Sequence, residues 1–275
     1  MPLSSLQPPL RVVIIGGGAA GFFSAIACAE AHPHAQVILL EAGRQLLSKV
    51  RISGGGRCNV THACFDPVAL VQHYPRGSKA LRGAFSRFHP SQTVEWFAQH
   101  GVQLKTEPDG RMFPTSDDSA TIVDCLTQAA RRAGIEVLTG VPVVGVVKRE
   151  TGFDVQVKSS EILRCDRLLI ATGSNPMGYQ LAKALGHSIE PPVPSLFTFT
   201  VSDPRLHDLA GVAATSVRLR LKVNDGTQLE QTGPLLVTHW GLSGPAILKL
   251  SAWGARVLHD QGYQATLVIN WLPQY

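Results

Sequence analysis

The N-terminal part of the chain alternates between short apolar runs and a longer amphipathic stretch. Arg11–Ile15 is a β-branched run that predicts a strand, Ala19–Ala31 predicts a helix, and Gln36–Leu40 predicts a second strand. A helix between two buried strands is typical of a βαβ unit, in which the two strands run parallel. The pattern therefore predicts a parallel sheet with helices packed on its faces.

The next segment is predicted to interrupt this unit. Helices near Gln92–His100 and Ser119–Ala133 flank a hairpin that turns at Pro108-Asp109-Gly110, and we interpret residues 84–134 as a helical insertion. Strand patterns then return at Glu136–Leu138, Val143–Arg149, Phe153–Lys158 and Arg167–Ala171. We expect these strands to resume the sheet begun at the N-terminus.

A proline-rich stretch, Pro191–Pro194, indicates a domain boundary. Beyond it the pattern becomes that of a β-rich unit. Strands are predicted at Ser216–Val223, Thr227–Gln231 and Gln264–Trp271, with a hairpin turn at Asn224-Asp225-Gly226 and a helix from Pro245 through Ala246–Leu258. The predicted domains are thus residues 1–190 and residues 191–275.

Composition narrows the function classes. The net charge of +5 comes from scattered basic residues, so we expect no nucleic-acid partner. The five cysteines form no C-x-x-C pair, which argues against a disulfide framework and favours the cytoplasm. The apolar run Val12–Ala29 contains four glycines and only Arg11 precedes it as a positive charge, so neither export nor a membrane role is expected.

A dinucleotide fingerprint, Gly16-x-Gly18-x-x-Gly21, follows the first strand and opens the first helix. Gly16 permits the tight turn, Gly18 lets a diphosphate approach the backbone, and Gly21 lets the helix pack closely on the strand. Glu41 closes the second strand, where it can accept hydrogen bonds from ribose hydroxyls and disfavours a 2′-phosphate. The motif predicts a dinucleotide site, but it does not separate FAD from NAD.

A second glycine-rich block, Ile52–Thr61, follows within the length of one loop. Its consecutive glycines could present N–H groups to a phosphate or sugar, while Arg57 and Asn59 add hydrogen-bonding side chains. For the glycines alone, a flexible surface loop stabilised by turns would be the better interpretation.

At these residues the sequence resembles the aminoacetone oxidase family of FAD-binding enzymes, also called YhiN- or BaiN-like flavoproteins. The resemblance covers nearly the whole chain. It rests on the fingerprint with Glu41, S-G-G-G-R-C-N-V-T from Ser53, Gly110–Pro114, Ala171-Thr172-Gly173, Leu185-Gly186-His187 and Gly241–Pro245. The fold class that it implies is α/β, a Rossmann-like FAD-binding domain with a helical insertion, followed by a β-rich second domain.

The resemblance also implies which residues contact FAD. These are Gly16, Gly18, Ala19, Ala20, Gly21, Glu41, Ala42, Gly54, Gly55, Gly56, Arg57, Cys58, Asn59, Val143, Ala171, Thr172 and Gly173. Val143 would meet the adenine through its backbone, although an ordinary place in a strand explains it equally well. No metal ligand and no catalytic residue is assigned.

The implied function is that of an FAD-dependent oxidoreductase acting on a small-molecule substrate. There is no second G-x-G-x-x-G, so NAD(P)H would act only as a transient reductant. Family members continue past the position of Tyr275 with a Gly-Gly-Tyr-Asn element near the flavin ring, so the second domain is expected to be incomplete. The alternative is therefore a truncated, non-catalytic protein that holds ADP-containing ligands without turnover. The oligomeric state is not predicted.

Three weaker patterns have structural as well as functional interpretations. Cys58 could be an activated thiolate, but a small buried side chain is the favoured interpretation. Cys58, His62, Cys64 and His73 lack the spacing of a zinc site. His239 and Trp240 could cover the flavin. The favoured interpretation is that they cap a strand and fill core space.

Overall fold

The computed structural model describes residues 9–223 and 226–274, which divide into two compact units between Ile189 and Glu190. The strands are β1 Arg11–Ile15, β2 Gln36–Glu41, β3 Thr61–His62, β4 Leu104–Thr106, β5 Arg111–Pro114, β6 Glu136–Thr139, β7 Val143–Lys148, β8 Phe153–Val157, β9 Ile162–Cys165, β10 Arg167–Ile170, β11 Phe199–Thr200, β12 Ala213–Lys222, β13 Gln228–Thr238, β14 Gly241–Ser243 and β15 Thr266–Asn270. The helices are α1 Ala19–Ala31, α2 Ser48–Ile52, α3 Pro67–Val71, α4 Ser78–Phe85, α5 Pro90–Gln99, α6 Ser119–Arg132, α7 Pro176–Ala184 and α8 Pro245–Asp260, with 3-10 turns at Ser53–Gly56 and Pro204–Leu206.

The first unit is built on a parallel sheet of four strands in the order β10-β1-β2-β6. In the central strand β1, Ile15 pairs with Leu40 on one side and with Ile170 on the other. Val12–Ile15 and Val37–Leu40 are buried without alternation, as is usual for a parallel sheet covered on both faces. This arrangement confirms the Rossmann-like α/β fold class.

The expectation that the later strands rejoin this sheet is right for β6 and β10 and wrong for β7 and β8. These two strands pair antiparallel with each other, and β9 completes a separate sheet in the order β7-β8-β9. Their connection is a tight turn in which Arg149 N–H donates to the Gly152 carbonyl (3.0 Å), with Gly152 at φ +82°. So short a connection allows only antiparallel pairing, because parallel neighbours need a crossover of about a dozen residues or more.

The insertion lies between β2 and β6 and is more varied than the predicted pair of helices. The helices appear as α5 and α6, and the predicted hairpin pairs β4 with β5. Strand β3 adds to β5, so the insertion contains a small sheet in the order β3-β5-β4. Helix α6 packs on α1 and α2, where the Ser119 hydroxyl donates to the Arg51 carbonyl (2.8 Å).

The second unit is a five-stranded antiparallel sheet in the order β11-β14-β13-β12-β15, with α8 packed on one face. Val217, Leu219 and Leu221 alternate with exposed residues along β12 and form the core with α8. Of the predicted turn, Asn224 and Asp225 lie outside the described residues, but the strands on either side are paired antiparallel. Strand β13 is much longer than predicted.

Helix α1 approaches the turn after β1 so closely that no side chain fits between them. A Cβ added to Gly21 would overlap the Gly16 carbonyl oxygen and lie 3.3 Å from the Leu39 side chain. From this contact the helix runs along the sheet and buries Phe22 and Ile26. The glycine is thus needed for packing.

We predict that Gly21→Ala lowers the free energy of unfolding by about 3 kcal/mol, because the new methyl group must push the helix away from the strand. Gly83→Ala is the matched control. Gly83 lies within α4, is exposed, and has open space where its Cβ would stand. The same substitution there should stabilise the protein by about 0.5–1 kcal/mol through helix propensity. Denaturant unfolding of both variants measures the difference, and equal effects would contradict the packing argument.

Candidate functional site

A cleft of about 960 Å³ opens in the first unit where the parallel strands end. Its walls include Ile15–Gly18 after β1, Glu41 and Ala42 at the end of β2, and Ala171–Gly173 after β10. Ligands of open parallel sheets bind at the carboxyl ends of the strands, and sites for cofactor-sized ligands have volumes of about 300–1,000 Å³. The cleft has the position and size of a cofactor site.

The first two fingerprint glycines differ in what surrounds them. Gly16 has φ +117°, its N–H donates to the Leu40 carbonyl (2.8 Å), and an added Cβ would lie 2.5 Å from the Ala171 carbonyl oxygen. Gly18 has an ordinary extended backbone, and an added Cβ would meet no protein atom within 4 Å. Gly16 is therefore required by the chain itself, whereas the space beside Gly18 is open to a ligand.

The N-terminus of α1 forms part of the same wall. The first backbone bond of the helix runs from Phe22 N–H to the Gly18 carbonyl (3.0 Å), so the N–H groups of Ala19, Ala20 and Gly21 have no acceptor within the helix. No acidic side chain occupies the first turn and no side chain caps it. These N–H groups and the positive end of the helix dipole favour an anion in the cleft.

Glu41 lines the cleft and also supports the turn. One carboxylate oxygen accepts the Gly17 N–H and the other accepts the Gly43 N–H, both at 2.7 Å. Each carboxylate oxygen has a second acceptor position, so ribose hydroxyls remain possible partners. The role at the ribose stays a prediction, while the two backbone bonds are a function that sequence reasoning missed.

The turn after β10 faces the fingerprint. Ala171 N–H donates to the Ile15 carbonyl (2.8 Å), which joins the two strand ends, and Gly173 has φ +61°. The turn leads into α7, which Asn175 caps by accepting the Met177 N–H (2.9 Å). Val143 is buried at the start of β7 and also lines the cleft, as its predicted contact with the adenine requires.

The glycine-rich block contributes its two ends to the cleft. Ser53, Cys58 and Asn59 line it, but Gly54, Gly55, Gly56 and Arg57 do not, and Gly21 is also absent from the lining. The Arg57 guanidinium instead pairs with Glu107 (2.5 Å) and Asp117 (3.3 Å) and lies 4.0 Å from the centre of the Phe113 ring. In this structure Arg57 holds the block against the β4–β5 hairpin.

The surroundings of Cys58 match a structural thiol. Its side chain is buried, and burial raises the pKa of the thiol above its usual value. Its N–H donates to the Ser53 carbonyl (3.0 Å), and its φ of +61° follows three glycines that also have positive φ. A raised pKa leaves little thiolate at neutral pH, which is the opposite of an activated nucleophile.

Several lining residues were not predicted. They include Phe23, Gln45, Lys49, Phe97, Ile122, Leu126, Ser174 and Met177. Phe97, Ile122 and Leu126 come from the apolar faces of α5 and α6, which the sequence indicates as core positions without showing which space they enclose. Among the described residues that line the cleft, Lys49 is the only basic side chain and Glu41 the only acidic one.

Residues 9–223 and 226–274 contain neither a candidate metal site nor a candidate membrane-spanning helix. No group of three or more His, Cys, Asp or Glu side chains is placed to hold a metal ion there. No helix in this part of the chain combines the length and the apolar character needed to cross a bilayer.

Comparison with protein families gives a match along most of the chain. The model described as the HI0933-like protein Rossmann domain matches residues 10–251. The chain belongs to this HI0933-like family. The match includes the fingerprint, the glycine-rich block and the turn after β10, and it confirms the family resemblance drawn from those motifs.

Two curated relatives of this HI0933-like chain have different names. It is 30% identical over 272 residues to a 3-dehydro-bile acid delta(4,6)-reductase of Clostridium scindens, which covers 96% of the chain and 65% of the relative. It is 32% identical over 250 residues to a ribosomal RNA dihydrouridine synthase of Escherichia coli, covering 88% of the chain and 60% of the relative. The chain thus spans less than two thirds of the length of either relative.

Among solved structures, THI4 of Thermovibrio ammonificans matches with a TM-score of 0.46 and 15% identity, covering 68% of each chain. At this TM-score the likeness supports no inference about the HI0933-like chain.

We expect Cys58 to resist alkylation in the folded protein, since its thiol is both buried and poorly ionised at neutral pH. Native labelling with iodoacetamide followed by mass spectrometry of peptides tests this, with the partly exposed Cys64 as the internal comparison. Labelling of Cys58 should require denaturant. If Cys58 is modified as fast as Cys64 in the native state, the result would support the alternative interpretation of Cys58 as an activated thiolate.

Proposed function

We propose that the chain binds FAD in the cleft and supplies the cofactor domain of a flavin-dependent oxidoreductase. The observation that carries this proposal is the open space beside Gly18, next to the unpaired N–H groups that begin α1. An added Cβ at Gly18 would meet no protein atom, so the packing of the chain does not itself require glycine here, whereas close approach of a ligand to the backbone would.

The lining residues offer groups that suit each part of FAD. The N–H groups of Ala19 and Ala20 would hold the diphosphate, Glu41 the adenosine ribose, and the backbone at Val143 the adenine. When bound, the flavin supplies hydride or electron transfer. The buried side chains of Phe97 and Leu126, which line the cleft, would keep water away from the bound flavin.

We further propose that the reaction is the reduction of an unsaturated, electron-poor small molecule. One relative is named a reductase, and the product in the other name, dihydrouridine, is the reduced form of uridine. NAD(P)H would act as a transient reductant. Because the chain spans 60–65% of these relatives, turnover by this chain is part of the proposal. The competing function is retention of ADP-containing ligands without turnover.

The cofactor is tested by the absorbance spectrum of the purified chain, with FAD released by heat and quantified against protein. We expect flavin bands and about one FAD per chain, either as purified or after reconstitution. A colourless protein that does not take up FAD would contradict the proposal.

Gly18→Val should still fold but lose FAD, because its Cβ would stand in the open space, with no protein atom within 4 Å. We expect at least a tenfold rise in the Kd for FAD, about 1.4 kcal/mol. The free energy of unfolding should fall by only about 1 kcal/mol, because Gly18 is the N-cap of α1 and valine is disfavoured there. Arg57→Met is the comparison, and it should keep FAD because Arg57 lies outside the cleft lining. Loss of FAD from Arg57→Met and not from Gly18→Val would reverse the assignment.

Turnover is tested anaerobically on the FAD-loaded protein. NADH or NADPH should bleach the flavin band, and a conjugated enone added afterwards should restore it. Two results together would favour a binding protein without turnover. Neither nucleotide would bleach the flavin band, and the enone would fail to restore the band after dithionite has reduced the flavin.

A further inference from the structure

The charge inventory of the cleft is incomplete for the proposed cofactor. The diphosphate of FAD carries about one negative charge per phosphate, whereas the end of a helix offers only about half a positive charge. Glu41 adds a negative charge to the lining, and Lys49 is the only basic side chain among the described residues there. One side chain is therefore left to balance the diphosphate.

The backbone holds Lys49 close to the dinucleotide turn. Leu47, immediately before α2, is buried and adopts the left-handed conformation with φ +56°. Its N–H donates to the Gly17 carbonyl (2.9 Å), and its carbonyl accepts the Arg51 N–H (3.1 Å). A left-handed conformation is unfavourable for leucine and persists only where its surroundings impose it. The start of α2 is thus fixed to the fingerprint.

The side chain of Lys49 reaches the opposite wall. Its ammonium group donates to the Ser174 hydroxyl at 2.8 Å and lies 3.9 Å from where a Cβ on Gly173 would stand. An ammonium has three donors and this bond uses one, so two remain for a ligand. Lys49 and Ser174 together bridge the fingerprint side of the cleft and the turn after β10.

We infer that Lys49 is the cationic residue that binds the cofactor's diphosphate, with Ser174 as its positioning residue. This inference rests on the proposed function. The ammonium would supply a charge opposite the N–H groups of α1, so that the diphosphate lies between two positive regions. Lys49 would then contribute most to binding of ligands that contain the diphosphate and nothing to binding of adenosine.

The test is titration of the chain, cleared of bound flavin, with ADP and with adenosine. Lys49→Met should weaken ADP binding by about tenfold or more, and the remaining affinity should depend less on salt concentration. Adenosine affinity should be unchanged. Lys49→Arg should retain most of the ADP affinity because it keeps the charge, and Ser174→Ala should lose only about threefold.

Lys79→Met is the matched control, because Lys79 is exposed on α4 and lies outside the cleft lining. It should bind ADP as the wild type does. Wild-type ADP affinity in Lys49→Met would overturn the inference and leave FAD binding by the chain intact. So would an equal loss for ADP and adenosine, since that pattern would indicate a general change of shape. A wild-type chain that binds neither FAD nor ADP would instead overturn the proposed function.

Discussion

The contact between the backbone of α1 and the turn after β1 determines where the cleft can form. Because Gly21 has no side chain, the helix starts directly beside the ends of the parallel strands. This brings its unpaired N–H groups to the edge where β2 and β10 also end. A longer distance would move the positive end of the helix away from Glu41 and from the turn after β10. The contact between Gly21 and the Gly16 carbonyl therefore fixes both the packing of α1 and the position of its first N–H groups beside the cleft.

Local sequence signals were sufficient for the elements around this contact. Strand β1 and helix α1 have the predicted bounds, and β2 extends only one residue further. The antiparallel sheet of the second unit was also indicated, because alternation along β12 reports a half-buried strand. In each case a residue and its near neighbours carry the whole signal. That is why glycine spacing and alternation predicted these elements well.

Features that depend on distant residues could not be predicted in the same way. The sequence does not predict that Arg57 pairs with Glu107 and Asp117, which lie 50 and 60 residues away, and its contact with the cofactor stays a prediction. No local sequence pattern indicates a role for Lys49, because its partner, Ser174, is 125 residues away. Strands β7 and β8 were likewise predicted to join the parallel sheet, because a strand pattern does not identify the strand with which it pairs. Charge and strand patterns indicate which kinds of interaction a residue can make, and only the fold identifies its partners.

The central position of β1 has a consequence for how the protein is made. Its neighbours in the sheet are β2, which is the next strand along the chain, and β10. Near β10, the Asp166 carboxylate accepts the Arg11 N–H from 155 residues away in the sequence. During synthesis one edge of β1, with its apolar run Val12–Ile15, stays unpaired until most of the first unit has left the ribosome. Pairing over such separations is also slow. The nascent chain therefore exposes this edge until β10 has been made, and chaperones that shield it should raise the yield of folded protein in cells.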